Sequence, residues 1–184
     1  MNLSTLKNRR SPMAPTVLLT SFDIWESHHV SNSSDDLIAA MLHRGWLVET
    51  THVLRKLPVC FQAAPEQVIQ SITELQPDIV VCCGMAEQRQ QLTVESNGKH
   101  QGEVLKTAID LDTIVANLPV TEVSHDAGNF VCNYLYYSVL KHTQTLATAI
   151  QSVFVHVPLL HSDNQELILQ DFRSLLHSLQ AEQQ

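Results

Sequence analysis

The chain has 184 residues, 44% hydrophobic and 16% charged, enough apolar content for a sizeable core. Its formal net charge of −8 argues against a nucleic-acid-binding surface, which needs clustered Lys and Arg. No apolar run approaches the roughly 20 residues of a membrane span. The basic "KNRR" near the N-terminus is not followed by the roughly 7–15 apolar residues of a secretory signal.

Residues 1–14 are polar, basic and without hydrophobic period, which predicts a disordered tail, with Met13 as an alternative start. Residues 15–184 read as one α/β domain. "TVLLTSF" is a short β-branched apolar run, as expected of a strand covered on both faces. After the loop "DIWESHHVSNSS", Ser33 or Ser34 is the expected cap of a helix over "DDLIAAMLHRG", with Asp35 and Asp36 in its positive first turn and Gly45 closing it.

"WLVETTHVL" reads as a second strand and "APEQVIQSITELQ" as an amphipathic helix with Pro65 near its start. "PDIVVCCG" is a third, buried strand, and "LKTAIDLDTIVANL" is partly helical. "VTEVSH" is a strand, "NYLYYSVLKHTQT" a helix, "SVFVHVP" a strand and "SDNQELILQDFRSLLHSL" a closing helix. Strands alternating with helices predict a three-layer α/β/α sandwich around a mostly parallel sheet.

Cys60, Cys82, Cys83 and Cys132 show no C-x-x-C spacing, so neither a zinc ribbon nor a thioredoxin motif is indicated. Free thiols fit a reducing cytoplasm. Cys132 stands apart because it follows the turn "DAGN" at the start of a helix. There the helix dipole and free N–H groups are expected to lower a thiol pKa and to bind a developing oxyanion. His156 ends the apolar strand "SVFVHVP", where an imidazole needs a partner and is placed to act as a general base. Glu95, in "GMAEQRQQLTVESNG", is either a solvated loop carboxylate or the group that orients that imidazole. Taken from the residues alone, the set is a candidate Cys-His-acid hydrolase. Cys60, Cys82 and Cys83 are assigned to packing.

"AGNFVCNYLYY", "VFVHVPLL", "LPVCF" and "QPDIVVCCGMAEQR" resemble motifs of the pyroglutamyl-peptidase I family of cysteine peptidases. Arg89 matches the arginine of that family's G-x-A-x-x-R turn, and the chain order Glu, Cys, His is the family's order. "TSFDIWESHHVSNSS" is similar to its N-terminal aromatic segment, with Phe22 on the first aromatic and Asn32 on an asparagine.

The resemblance implies removal of an N-terminal pyroglutamyl residue from peptides, without metal or organic cofactor. Cys132 would be the nucleophile, His156 the base and Glu95 the orienting carboxylate. Phe22, Trp25, Met85 and Arg89 would be the substrate-binding set, with the two aromatics flanking a neutral lactam ring. "SNGKHQGEVLK" stands where the family has a longer stretch, and Met85 where glutamine is frequent. The alternatives are a Cys-dependent amidase of different acyl specificity, or a catalytically silent binding protein on the same fold. A homo-oligomer is left open, and no nucleic-acid or membrane partner is expected.

Overall fold

The computed structural model describes residues 14–181, so the tail expected over 1–14 falls, but for its last residue, outside them. Eight strands and five helices follow in the order β1 (Val17–Phe22), α1 (Ser33–His43), β2 (Thr51–Leu57), α2 (Ala63–Leu75), β3 (Ile79–Met85), β4 (Leu92–Glu95), β5 (Asn97–His100), β6 (Glu103–Lys106), α3 (Leu111–Val115), β7 (Thr121–Ser124), α4 (Val131–Thr143), β8 (Gln151–Val157) and α5 (Gln165–Ala181). Six strands form one sheet in the order β2-β1-β3-β8-β4-β7. All neighbours are parallel except β4 and β8.

Alternation along the central strands divides the core in two, because successive side chains leave a strand on opposite faces. Val17, Leu19, Ile79, Val81 and Cys83 pack with α1, α3 and α5, while Leu18, Val80 and Cys82 pack with α2 and α4. The result is the expected three-layer sandwich. Among the described residues no helix is long and apolar enough to cross a membrane.

Several local expectations change. Asn32, not Ser33 or Ser34, caps α1, its side chain accepting from the Ser34 N–H at 3.1 Å. Both serines are instead the first helical residues. The second strand begins at Thr51, since Gly45 at φ +63° turns the chain and Trp46 and Leu47 pack on the core at the sheet's end. The stretch after Glu95 is a hairpin of β5 and β6 closed by Gln101 and Gly102, both at positive φ. This hairpin lies across α4, and Gly98 makes the crossing fit. A Cβ at Gly98 would stand 2.5 Å from the Tyr137 backbone nitrogen.

Candidate active site

The sheet register brings the candidate residues to one edge of the sheet. Gly84 of β3 lies beside His156 of β8, and on the other side of β8 His156 pairs with Thr93 of β4. The loop after β7 returns the chain over the sheet and starts α4 there, so that Cys132 stands above Gly84. A Cβ on Gly84 would be only 2.6 Å from the Cys132 sulfur and 2.8 Å from the Phe154 ring. No side chain larger than hydrogen fits beneath the thiol.

Glu95 is fully buried and belongs to strand β4, not to a solvated loop. Its Oε1 lies 2.8 Å from His156 Nδ1. An ionised carboxylate can only accept, so Nδ1 carries the proton and Nε2 is left free to take one. The same Oε1 accepts from Arg89 at 2.6 Å, while Oε2 has no partner among the described residues. Arg89 also reaches the Thr93 hydroxyl and donates to the Asp126 carbonyl at 2.9 Å. The guanidinium therefore fixes Glu95 and the loop before α4. It is not among the side chains that line the cavity.

That cavity, about 230 Å3, is lined by Cys132, His156, Phe22, Trp25, Met85 and Phe130, with Asn32, Val59 and the loop residues Ala127–Asn129 completing it. It is smaller than the roughly 300–1,000 Å3 of sites for drug-sized ligands and suits one small, mainly apolar group. Phe22 is buried in its wall, whereas Trp25 and Phe130 stand half-exposed at its mouth with ring centroids 5.0 Å apart. Phe130, two residues before Cys132, lines the cavity although the sequence pattern does not single it out. No side chain caps the N-terminus of α4, so its first N–H groups are free to meet a negative oxygen.

Two cysteine expectations are corrected. Burial pushes the Cys132 thiol up to about 12, outweighing its own N–H at the helix start. The expected low thiol pKa is absent because the sulfur is packed into the sheet surface above Gly84. Cys60 is exposed instead of packed, and the N–H groups of Ala63 and Gln62 at the start of α2 hold its thiol below the ordinary value. Cys82 and Cys83 are fully buried, in keeping with a packing role.

Near the mouth, His28, His29 and Glu87 each offer a ligand atom within 4.8 Å of the others. Among the described residues this is the group able to hold a metal, and His29 Nε2 already lies 2.6 Å from Glu87.

A profile of the family described as pyroglutamyl peptidase matches residues 15–100 and 107–176. The chain is 31% identical to the pyrrolidone-carboxylate peptidase of Bacillus subtilis (strain 168), across 79% of each chain. It is 32% identical to that of Vibrio vulnificus (strain YJ016), across 78% of each. Among solved structures it resembles pyroglutamyl peptidase I from Bacillus amyloliquefaciens with TM-score 0.74 and 22% identity, covering 92% of this chain and 94% of that one. The pyrrolidone carboxyl peptidase from Thermococcus litoralis gives TM-score 0.77 at 16% identity, covering 91% and 94%. At those identities the structures speak for the fold alone.

Proposed function

Since this chain belongs to the pyroglutamyl peptidase family, we propose that it removes an N-terminal pyroglutamyl residue from peptides, with Cys132 as nucleophile, His156 as base and acid, and Glu95 as the orienting carboxylate. The observation that carries the assignment is the 2.8 Å contact of Glu95 with His156 Nδ1, at a cavity that Cys132 shares. The attack is general-base assisted: His156 Nε2 takes the proton as sulfur bonds to the pyroglutamyl carbonyl carbon. The oxygen becomes negative beside the free N–H groups of α4, and Glu95 steadies the imidazolium.

The imidazolium then protonates the departing amine, the C–N bond breaks, and a thioester remains. Water, deprotonated by His156, attacks that thioester and releases pyroglutamate, restoring the thiol. Phe22, Trp25 and Phe130 supply apolar faces for the uncharged ring. Arg89 acts through Glu95 and so is a positioning residue in this scheme. Four unpaired cysteines suit a reducing compartment such as the cytoplasm.

Met85 favours one second reading, an amidase acting on another small acyl group, since it offers the cavity a thioether in place of a polar side chain. The test is hydrolysis of pyroglutamyl-7-amido-4-methylcoumarin beside a panel of other acyl amides. Wild type should prefer the pyroglutamyl amide, and Cys132→Ala and His156→Ala should each lose at least about 1,000-fold in kcat. A wild type that ignores this amide but hydrolyses another overturns the first reading in favour of the second.

A further inference from the structure

The cavity closes around a small group, yet an aromatic path leads out of it. Trp25 meets Phe130 at 5.0 Å between centroids, Phe130 meets Phe61 edge-on at 5.9 Å, and Phe61 meets Tyr134 at 5.6 Å. Tyr134 then meets His100 of the hairpin at 4.7 Å. Phe130, Tyr134 and Tyr137 recur at the three- and four-residue spacing that puts them on one face of α4. Phe61 and Phe130 are each 45% exposed, an unusual extravagance for two adjoining large rings.

Beneath this path two further hollows follow, the first adjoining the cavity and the second adjoining the first. Asn129 lines both the cavity and the next hollow, of about 320 Å3. Tyr134, His100 and Glu103 line that hollow and a third, of about 590 Å3. The floor is held rigidly, because Asn133 accepts from the Lys99 N–H at 2.8 Å and donates to its carbonyl at 2.7 Å.

We infer that this groove binds the first residues after the scissile bond, and that it selects apolar or aromatic side chains there. The inference rests on the proposed peptidase reading. A substrate whose ring fills the cavity must pass its chain out beside Asn129, and the groove begins there. From residue 130 to residue 137 the helix axis advances about 10 Å at 1.5 Å per residue, the reach of about three extended residues. Lys141 and Glu103 are paired with each other at the far end, so no unpaired charge there calls for a charged side chain.

The test compares pyroglutamyl-glycinamide with pyroglutamyl-Phe-Leu-Ala-amide on wild type, Phe61→Ala and Tyr134→Ala. Neither substituted residue lines the cavity that holds the ring. Wild type should favour the long peptide by at least about 10-fold in kcat/KM, and each variant should lose about 5- to 50-fold on it while staying within about twofold on the short one. Equal use of both substrates by wild type, or equal losses on both by the variants, overturns the groove. A change of mass by light scattering in the variants, with selectivity unaltered, also overturns it and makes the face an interface between copies. Should wild type hydrolyse neither substrate, the peptidase reading fails first. Calorimetric binding of the long peptide to Cys132→Ala then still decides the groove: weakening by Tyr134→Ala sustains it, and no binding or no weakening overturns it.

Discussion

Gly84→Ala isolates the close approach of Cys132, the proposed nucleophile, to the sheet. The added Cβ would lie 2.6 Å from the Cys132 sulfur and 2.8 Å from Phe154 Cζ, whereas ordinary contacts begin at 3.4 Å. The sulfur, the ring or the strand must therefore yield by about 0.6–0.8 Å. Phe154 is fully buried and cannot retreat freely, so α4 with Cys132 is the softer partner. A misplacement approaching 1 Å at a reacting atom costs on the order of 100-fold in rate. Overpacking of this kind costs about 1–3 kcal/mol of stability, which for a chain of this size lowers Tm by about 2–12 °C. Hydrolysis of a pyroglutamyl coumarin amide, read as kcat and KM separately, and a thermal melt measure the two effects. The expected pattern is a kcat loss of about 100-fold with KM little changed, in a folded protein. A variant with wild-type kcat would refute the placement of the reacting sulfur over Gly84, whatever its Tm.

The remaining predictions concern recognition, acid stability and thiol chemistry. Trp25→Ala should raise KM for pyroglutamyl substrates and cost about 1–3 kcal/mol, or roughly 5- to 150-fold in kcat/KM; no change in steady-state kinetics would remove Trp25 from the pocket. Burial raises the Asp35 carboxyl, but hydrogen bonds from Arg55 and Ser21 outweigh it and hold it below its ordinary 3.8. The stability this contributes is present above about pH 3.8 and is lost as pH falls through the lower folded-state value. Arg55→Ala should therefore destabilise by about 1–2 kcal/mol near pH 7, discounted for the partly exposed guanidinium, with the gap closing below pH 3.8 in urea melts. Brief iodoacetamide treatment at neutral pH with peptide mapping should label Cys60 before Cys132, Cys82 and Cys83; first labelling at Cys132 would contradict the effect of its burial.

What the sequence disclosed followed from pattern strength. The continuous apolar runs of β1, β3 and β8 and the long amphipathic helices carry signals that survive without context. The four-residue strands "LTVE", "NGKH" and "EVLK" do not, since polar neighbours hide so short a period. Glu95 was thus found by its place in a motif while its strand was not seen. Asn32 outcompeted two serines as cap because its carbonyl oxygen reaches both the Ser34 N–H and the Ser34 hydroxyl. The thiol pKa of Cys132 was misjudged for a different reason. Helix position is local and legible, but burial against a cluster assembled from distant elements outweighs it.

The sheet register also bears on how the molecule is made. Among the described residues, strand β8 is the only element that pairs with both β3 and β4, so without it the six-stranded sheet is two separate pieces. Among the described strands it comes last in the chain, and it brings His156. During elongation, at about 5–20 residues per second, the cysteine and glutamate exist for some time without their imidazole. A nascent chain stalled before residue 151 would be open-edged and would lack the proposed base. Under the proposed roles, the segment that joins the two parts of the sheet also supplies the imidazole, so peptidase activity would report that β8 has docked.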